Sequence, residues 1–410
     1  MNGKLILLNL FIILAFFLTG CQDAREVQEL GITLLIGIDI EDDKLVLTGE
    51  VVDPAFTQPG KGDTSQNNIV KYVQGTGNNI YEALRDLVLK FDRLLFGYHN
   101  KVIIIGEEVA KRGIVGYIDQ LFRSREIRET SYMLVAKGGK AYEVMGINSG
   151  LEGIPAMHIL KLIQNAKDNP KAVDMNMVNF LRHYYHEGHQ TILGVMEKKK
   201  KRRINKGSQT EGTEDLELSI LGSAIFNKDV LAGYLNGNDT KAVNYVMNNA
   251  RGGTITFITP LPDKGERLET GTGHNNLSSL VVINNKSKND VEIKGDKVLL
   301  KTKIRVRGFL EEVVGNIDIA KRENLRKMEE ACSKAVEEGI KSTVRKVQRE
   351  YKLDVFGFGL AFNKKYPQEW KKVKDNWDEI FAEADFEIEV ETNIIRTGII
   401  NTPITMKKGK

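Results

Sequence analysis

The longest amphipathic stretch of the chain limits its fold most. From about Ala320 to Tyr351, the residues Leu325, Met328, Cys332, Ala335, Val336, Ile340, Val344 and Val347 recur at the spacing of one helical face. A helix of that span is roughly 45 Å long at 1.5 Å per residue, so its stripe needs a partner of matching length. The chain supplies one in Leu277 to Ile283 and Asp290 to Val306, which read as long strands. Val291, Ile293, Val298, Leu300, Ile304 and Val306 carry the period-two pattern of a sheet with one wet face. Phe386 to Ile395 alternates Phe386, Ile388 and Val390 with Glu387, Glu389 and Glu391, and is expected to close that sheet. A long helix on a mainly antiparallel sheet makes this an α+β chain.

The first half reads differently. Gly31 to Ile40 and Lys44 to Asp53 form a hairpin with an acidic turn. After a polar, turn-rich stretch at 57 to 68, Val70 to Val73 resumes the sheet. Ile80 to Leu95 reads as a helix, Lys101 to Ile105 as a buried strand, Glu107 to Phe122 as a helix and Ser131 to Ala136 as a strand, an order that places helices on a sheet. Pro155 opens a helix where its missing N–H is harmless, and Asp174 is expected to cap another reaching Glu187. Gly75, Thr76 and Gly77 lack the further glycine or lysine of a phosphate loop and read as helix capping. Leu218 to Phe226 pairs with Val230 to Leu235, followed by a helix over Asp239 to Asn249 and a strand over Gly253 to Ile258.

The N-terminus carries the one candidate modification site. Lys4 precedes an apolar run from Leu5 to Leu18, and Leu18, Thr19, Gly20 and Cys21 then form a lipobox. A spanning helix needs about 20 apolar residues, whereas this run is shorter and is followed at once by Gln22, Asp23 and Arg25. The mature chain is therefore expected to begin at an acylated Cys21. Each buried methylene contributes about 0.8 kcal/mol, and two acyl chains hold a protein stably where one does not.

Other chemistry is sparse. The chain holds two cysteines and six histidines in 410 residues, with a formal net charge of +4. That charge excludes bulk attraction to nucleic acid, and Cys332, left without a partner, reads as a small buried hydrophobe. His183, His186 and His189 invite comparison with a zinc site, but their i, i+3, i+6 spacing fans three rings across roughly 120° of a helix, so no metal or cofactor is assigned. A metal-dependent hydrolase built on them is the weakest reading. Trp370 and Trp377 read as a core patch. The basic run Lys198 to Arg203 cannot bury itself and marks a linker, with anionic lipid headgroups as its functional alternative.

These boundaries divide the chain into a signal peptide (1–20), an N-terminal α/β domain (21–197), a linker (198–216), a small middle α/β domain (217–275), a C-terminal domain (276–402) with the long helix on antiparallel strands, and a tail (403–410). No catalytic residue is assigned. A solute-binding lipoprotein of a transporter is the alternative from another class, and it requires two doubly wound lobes around a cleft.

A series of short segments runs through the chain in order, beginning with Gly20, Cys21, Gln22 and Asp23 leading into Glu29, Leu30 and Gly31, and with Ile36, Gly37, Ile38 and Asp39. It continues through Ile104, Ile105, Gly106, Glu107, Glu108, Val109 and Ala110, then Gly222, Ala224, Phe226, Gly233 and Leu235. The last segment is Asp354, Phe356, Gly357, Phe358 and Gly359 with Pro367, Trp370 and Trp377. In this order the series resembles the Ger(x)C family, the lipoprotein C subunits of nutrient germinant receptors. Gln22 departs from the family's usual tryptophan, and a following arginine pair is reduced to Arg25. The resemblance implies a noncatalytic, three-domain α+β lipoprotein on the outer surface of the inner spore membrane. Its implied partners are the two integral-membrane A and B subunits of a receptor for small nutrients, with the bilayer reached through acylated Cys21.

Overall fold

A computed structural model describes residue 3 and residues 29–52, 69–123, 127–147, 150–201, 216–260, 276–295, 297–314 and 317–396. The lipobox with Cys21, the polar loop at 57–68 and the greater part of the linker lie outside these residues.

The chain is α+β, with two mixed sheets among the described residues. In the first, β1 (Leu30–Glu41) and β2 (Lys44–Val52) form the expected hairpin. Its two turn residues, Asp42 and Asp43, both take positive φ (46° and 59°), as the tight turn that follows strand twist requires. β3 (Val70–Gly77) pairs with β2, and α1 (Ile80–Val88) folds back over both. Gly75 and Gly77 belong to β3 rather than to a helix cap. A Cβ on Gly75 would stand 2.0 Å from the Ala83 carbonyl oxygen and one on Gly77 2.6 Å from the Ala83 nitrogen, so both glycines let α1 lie directly on the strand. The cap is Asn79, whose side chain accepts from the Glu82 N–H at 3.0 Å.

The helix expected to reach Leu95 stops at Val88. Leu94–Phe96 instead becomes β4, pairing in parallel with Leu30–Ile32 of β1, because the edge of β1 offers backbone partners that another helical turn does not. β5 (Val102–Gly106) is buried along its whole length. The helix expected over 107–122 divides into α2 (Glu107–Arg112) and α3 (Val115–Arg123). Gly113 breaks it at φ 104°, and the Asp229 carboxylate accepts from the Val115 N–H at 3.2 Å. Next come β6 (Tyr132–Ala136), α4 (Tyr142–Met145), α5 (Pro155–Asn165, with proline in the first turn as expected) and α6 (Met177–Tyr185). Asn176, not Asp174, caps α6, accepting from the Asn179 N–H at 2.8 Å.

β7 (Ile192–Lys200) takes Lys198, Lys199 and Lys200 into the sheet. They were expected in a linker. β8 (Leu216–Ser219) pairs with them, and Lys198 reaches Glu143 at 2.7 Å. Alternate strand residues project outward, which lets a basic run satisfy its backbone in a ladder while its ammonium groups stay wet. β9 (Ser223–Asn227) and β10 (Val230–Leu235) complete the first sheet in the order β10-β9-β7-β6-β5-β1-β2-β3, with β4 on β1 and β8 on β7. Its centre, β1-β5-β6-β7, is parallel and covered on both faces, in keeping with the apolar run of β5.

The second sheet has the order β11-β12-β13-β14. After α7 (Gly237–Val246), β11 (Thr254–Ile258) pairs with β12 (Leu277–Lys294). β13 (Lys297–Glu312) returns along β12. The strand expected over 290–306 is thus a hairpin turning at Gly295, whose φ is 60°. Among the described residues of the middle segment, β9 and β10 belong to the first sheet and β11 to the second. Then comes α8 (Arg322–Glu350), 29 residues and about 43 Å long, lying against β14, β11 and α7. α9 (Phe358–Lys365), α10 (Pro367–Val373) and α11 (Trp377–Glu383) lead into β14 (Asp385–Arg396), which pairs in parallel with β13. A continuous apolar core runs from Ile103 and Phe180 through Phe226 and Tyr245 to Leu300, Val344 and Trp377. The two sheets differ in strand number and order, unlike paired lobes around a cleft.

Candidate functional site at the seam between the sheets

Asp354 sits in the turn that follows α8, fully buried. Its Oδ1 accepts from the N–H groups of Phe356 (3.0 Å) and Gly357 (2.9 Å), and its Oδ2 from Gly359 N–H (2.7 Å) and Trp377 Nε1–H (3.0 Å). Burial outweighs these donors, which act in the opposite sense, and holds the carboxyl up at about 6. Gly357 takes φ 77°, a conformation that glycine adopts without a Cβ penalty. The aspartate therefore ties a left-handed turn to the second tryptophan. With both oxygens occupied by fixed donors, it is a joint rather than a base.

The segment between α6 and β7 plugs into this joint. A Cβ on Gly359 would stand 2.5 Å from the Gly188 carbonyl oxygen, and one on Gly188 would stand 2.6 Å from the Trp370 ring, so two bare backbones touch here. Glu187 accepts from Trp370 Nε1–H (3.2 Å) and pairs with Lys374 (2.9 Å). The Gln190 N–H donates to the Asp354 carbonyl (2.8 Å), and its Oε1 accepts from Lys228 N–H (2.8 Å). Trp370 and Trp377 pack at 5.4 Å between ring centres, as the expected core patch.

Of the three histidines, the structure brings two together. His183 lies in the last turn of α6 and His189 in the following loop, with ring centres 4.7 Å apart, while His186 is exposed. Burial pushes His189 down to about 3 and lowers His183 as well, so both rings are neutral near pH 7. Among the described residues, no group of three His, Cys, Asp or Glu side chains is placed to hold a metal. The rings border a cavity of about 340 Å³, lined also by Asn179, Asn244, Asn249 and Arg251, and no hydroxyl, thiol or lysine lines it among the described residues. Cys332 is buried inside α8, and burial pushes its thiol up to about 12. It packs as a small hydrophobe and is not poised as a nucleophile.

The other motif residues also join elements. Asp39 accepts from the N–H groups of Ala141 (2.7 Å) and Tyr142 (3.2 Å) at the start of α4. A Cβ on Gly106 would stand 2.1 Å from the Asp39 Oδ1, so that glycine makes room for the carboxylate. Glu107 accepts from the Tyr234 hydroxyl at 2.9 Å, linking α2 to β10. A Cβ on Gly233 would stand 2.4 Å from the Tyr351 ring, whose hydroxyl donates to the Tyr234 carbonyl at 2.9 Å. Glu50, buried on β2, carried no sequence signal beyond a carboxylate inside an apolar strand. It accepts from Tyr72 O–H (2.8 Å) and Ala156 N–H (3.1 Å).

Comparison with known proteins matches nearly the whole of this architecture. Residues 23–198 match the spore germination protein N-terminal domain, and residues 221–398 match the spore germination B3/GerAC-like C-terminal domain. Spore germination protein KC of Bacillus subtilis (strain 168) is 29% identical over 98% of this chain and 98% of its own. Spore germination protein B3 of the same organism is 24% identical over 95% of this chain and 96% of its own. A crystal structure of the GerBC protein superposes with a TM-score of 0.54 at 22% identity, covering 88% of this chain and 96% of that one, and so shares the fold. The chain belongs to the Ger(x)C family of GerAC-like spore germination proteins.

Proposed function

We propose that this protein is the lipid-anchored C subunit of a nutrient germinant receptor, acting through contacts with two integral-membrane subunits rather than through catalysis. The observation that carries this is the end-to-end correspondence with spore germination protein KC, read together with the lipobox ending at Cys21. Acylation of Cys21 holds the folded body at the outer surface of the inner spore membrane. The seam agrees with a noncatalytic role, because the Asp354 carboxylate has both oxygens filled by fixed N–H donors.

The test is germination of spores carrying a deletion or Cys21→Ala. Loss of the nutrient response with a normal response to dodecylamine is expected for both. An unchanged nutrient response in the deletion would remove the receptor role, and one in Cys21→Ala alone would remove the anchor.

A further inference from the structure

The end of the first sheet at which β1 begins carries an apolar tip. Leu89, directly after α1, is 86% exposed. Val88 beside it is also exposed, as is Leu94 on β4. Leu94 stands at the start of β1, where it pairs with Leu30, and Phe91, two residues after Leu89, brings its ring to 2.8 Å from where a Cβ on Gly31 would stand. Scattered single exposed apolar residues are ordinary, but a grouped set with an almost wholly exposed leucine calls for an occupant. At the far end of β1, the hairpin turn presents Asp42, Asp43 and Lys44 to water.

We propose, on the reading that Cys21 is acylated, that this tip sits in the headgroup region of the same bilayer and sets how the body stands on it. Chain length selects this occupant. The nine steps from Cys21 to Leu30 reach at most about 32 Å, at up to roughly 3.6 Å per residue. Leu30 lies at the tip itself, so a membrane-held Cys21 keeps these side chains within one short tether of the interface. Arg85 and Lys90 stand exposed among the apolar side chains, a mixture suited to an interfacial face. The tether raises the local concentration of the bilayer at the tip, so a small apolar face suffices where free protein would not bind.

The experiment uses the full lipidated chain in phosphatidylethanolamine and phosphatidylglycerol vesicles with no other protein. Leu89→Cys is labelled with an environment-sensitive dye, the thiols at Cys21 and Cys332 being acylated and buried respectively. A second sample carries the dye at Asp43→Cys. At position 89, a blue shift on vesicle binding and quenching by nitroxide lipids are expected, with neither at position 43. Protein that floats with vesicles while the dye at 89 stays water-exposed overturns the proposal and assigns the tip to another protein. Protein that fails to float overturns the Cys21 reading instead. Equal quenching at both positions would mean a body lying without orientation, and would also overturn it.

Discussion

Glu50 shows how one buried carboxyl couples this fold to pH. Burial pushes it up to about 7 from 4.5, while its bonds from Tyr72 and Ala156 act the other way. Between those values the native chain keeps a proton that the unfolded chain has released. The linked stabilisation is complete below about 4.5 and is lost as pH rises through about 7. Glu50→Gln, neutral at every pH, should leave the urea midpoint nearly unchanged at about pH 5 and raise stability by about 1–3 kcal/mol at about pH 8.5. A destabilisation of equal size at both pH values would show that the ionised carboxylate is welcome at the start of α5. His189 has the opposite sign: with its folded value pushed down to about 3, its contribution is present above 6.5 and is lost as pH falls toward 3. Glycines divide just as sharply. Gly359→Ala drives a Cβ to 2.5 Å from the Gly188 oxygen and should cost about 1–3 kcal/mol as overpacking. Gly116→Ala, at an exposed position of α3 with nothing within 4 Å, should instead stabilise by about 0.5–1 kcal/mol. Thermal melts of the two variants check the contrast.

At the scale of elements, α8 and β14 solve a problem together. β14 is an edge strand of 12 residues, and its outward N–H groups would invite another chain. Three side chains of α8, four residues apart, take them: Glu329 accepts from Ile394 N–H (2.9 Å), Ser333 from Thr392 N–H (3.0 Å) and Glu337 from Val390 N–H (3.3 Å). The other face is laced by Lys303 with Glu389 (2.6 Å) and Arg305 with Glu391 (3.1 Å), exposed pairs that contribute little individually. Replacing Glu329, Ser333 and Glu337 together with alanine should cost about 1 kcal/mol per lost bond and raise the rate of aggregation seen by light scattering. An unchanged rate would show that packing of α8 alone shields the edge. The stripe of α8 was legible in the sequence because period 3.6 is a property of the residues themselves. Its polar row was not, because Glu329 and Glu337 look like any solvated face until β14 is in place. The same reason misplaced element ends. Leu94 and Leu95 continue the apolar spacing of α1, yet β1 claims them as a strand. Val291 to Val306 reads as one alternating strand, although its parity changes between Ile293 and Val298, where Gly295 reverses the direction of the chain. Burial pattern records which residues are covered and not which element covers them. The seam was half visible: the tryptophan patch could be read from composition and spacing, whereas Gly188 against Gly359 joins positions far apart in the chain.

At the scale of the molecule, the two sheets are woven rather than strung. The two matched domains meet between 198 and 221, yet β8, β9 and β10, beyond or astride that boundary, complete the sheet begun by β1 to β7. The register Leu193↔Ala224 and Lys198↔Leu218 crosses it directly. Gln190 then bonds to Asp354, and Tyr351 to Tyr234, so the second sheet is locked onto those same strands. Covalent continuity across 202–215 should therefore matter little once the chain has folded. With a specific protease site placed in that segment, the cut protein should elute from gel filtration as one particle and melt in one transition close to that of the intact chain. Denatured and mixed as separate pieces, the halves should recover poorly, because the first would expose β7 as a bare parallel edge and the second would present β9 and β10 without a sheet to join. Two separating fragments after the cut, each with its own melting transition, would mean that the strands crossing the boundary contribute little and that the sheets are independent bodies.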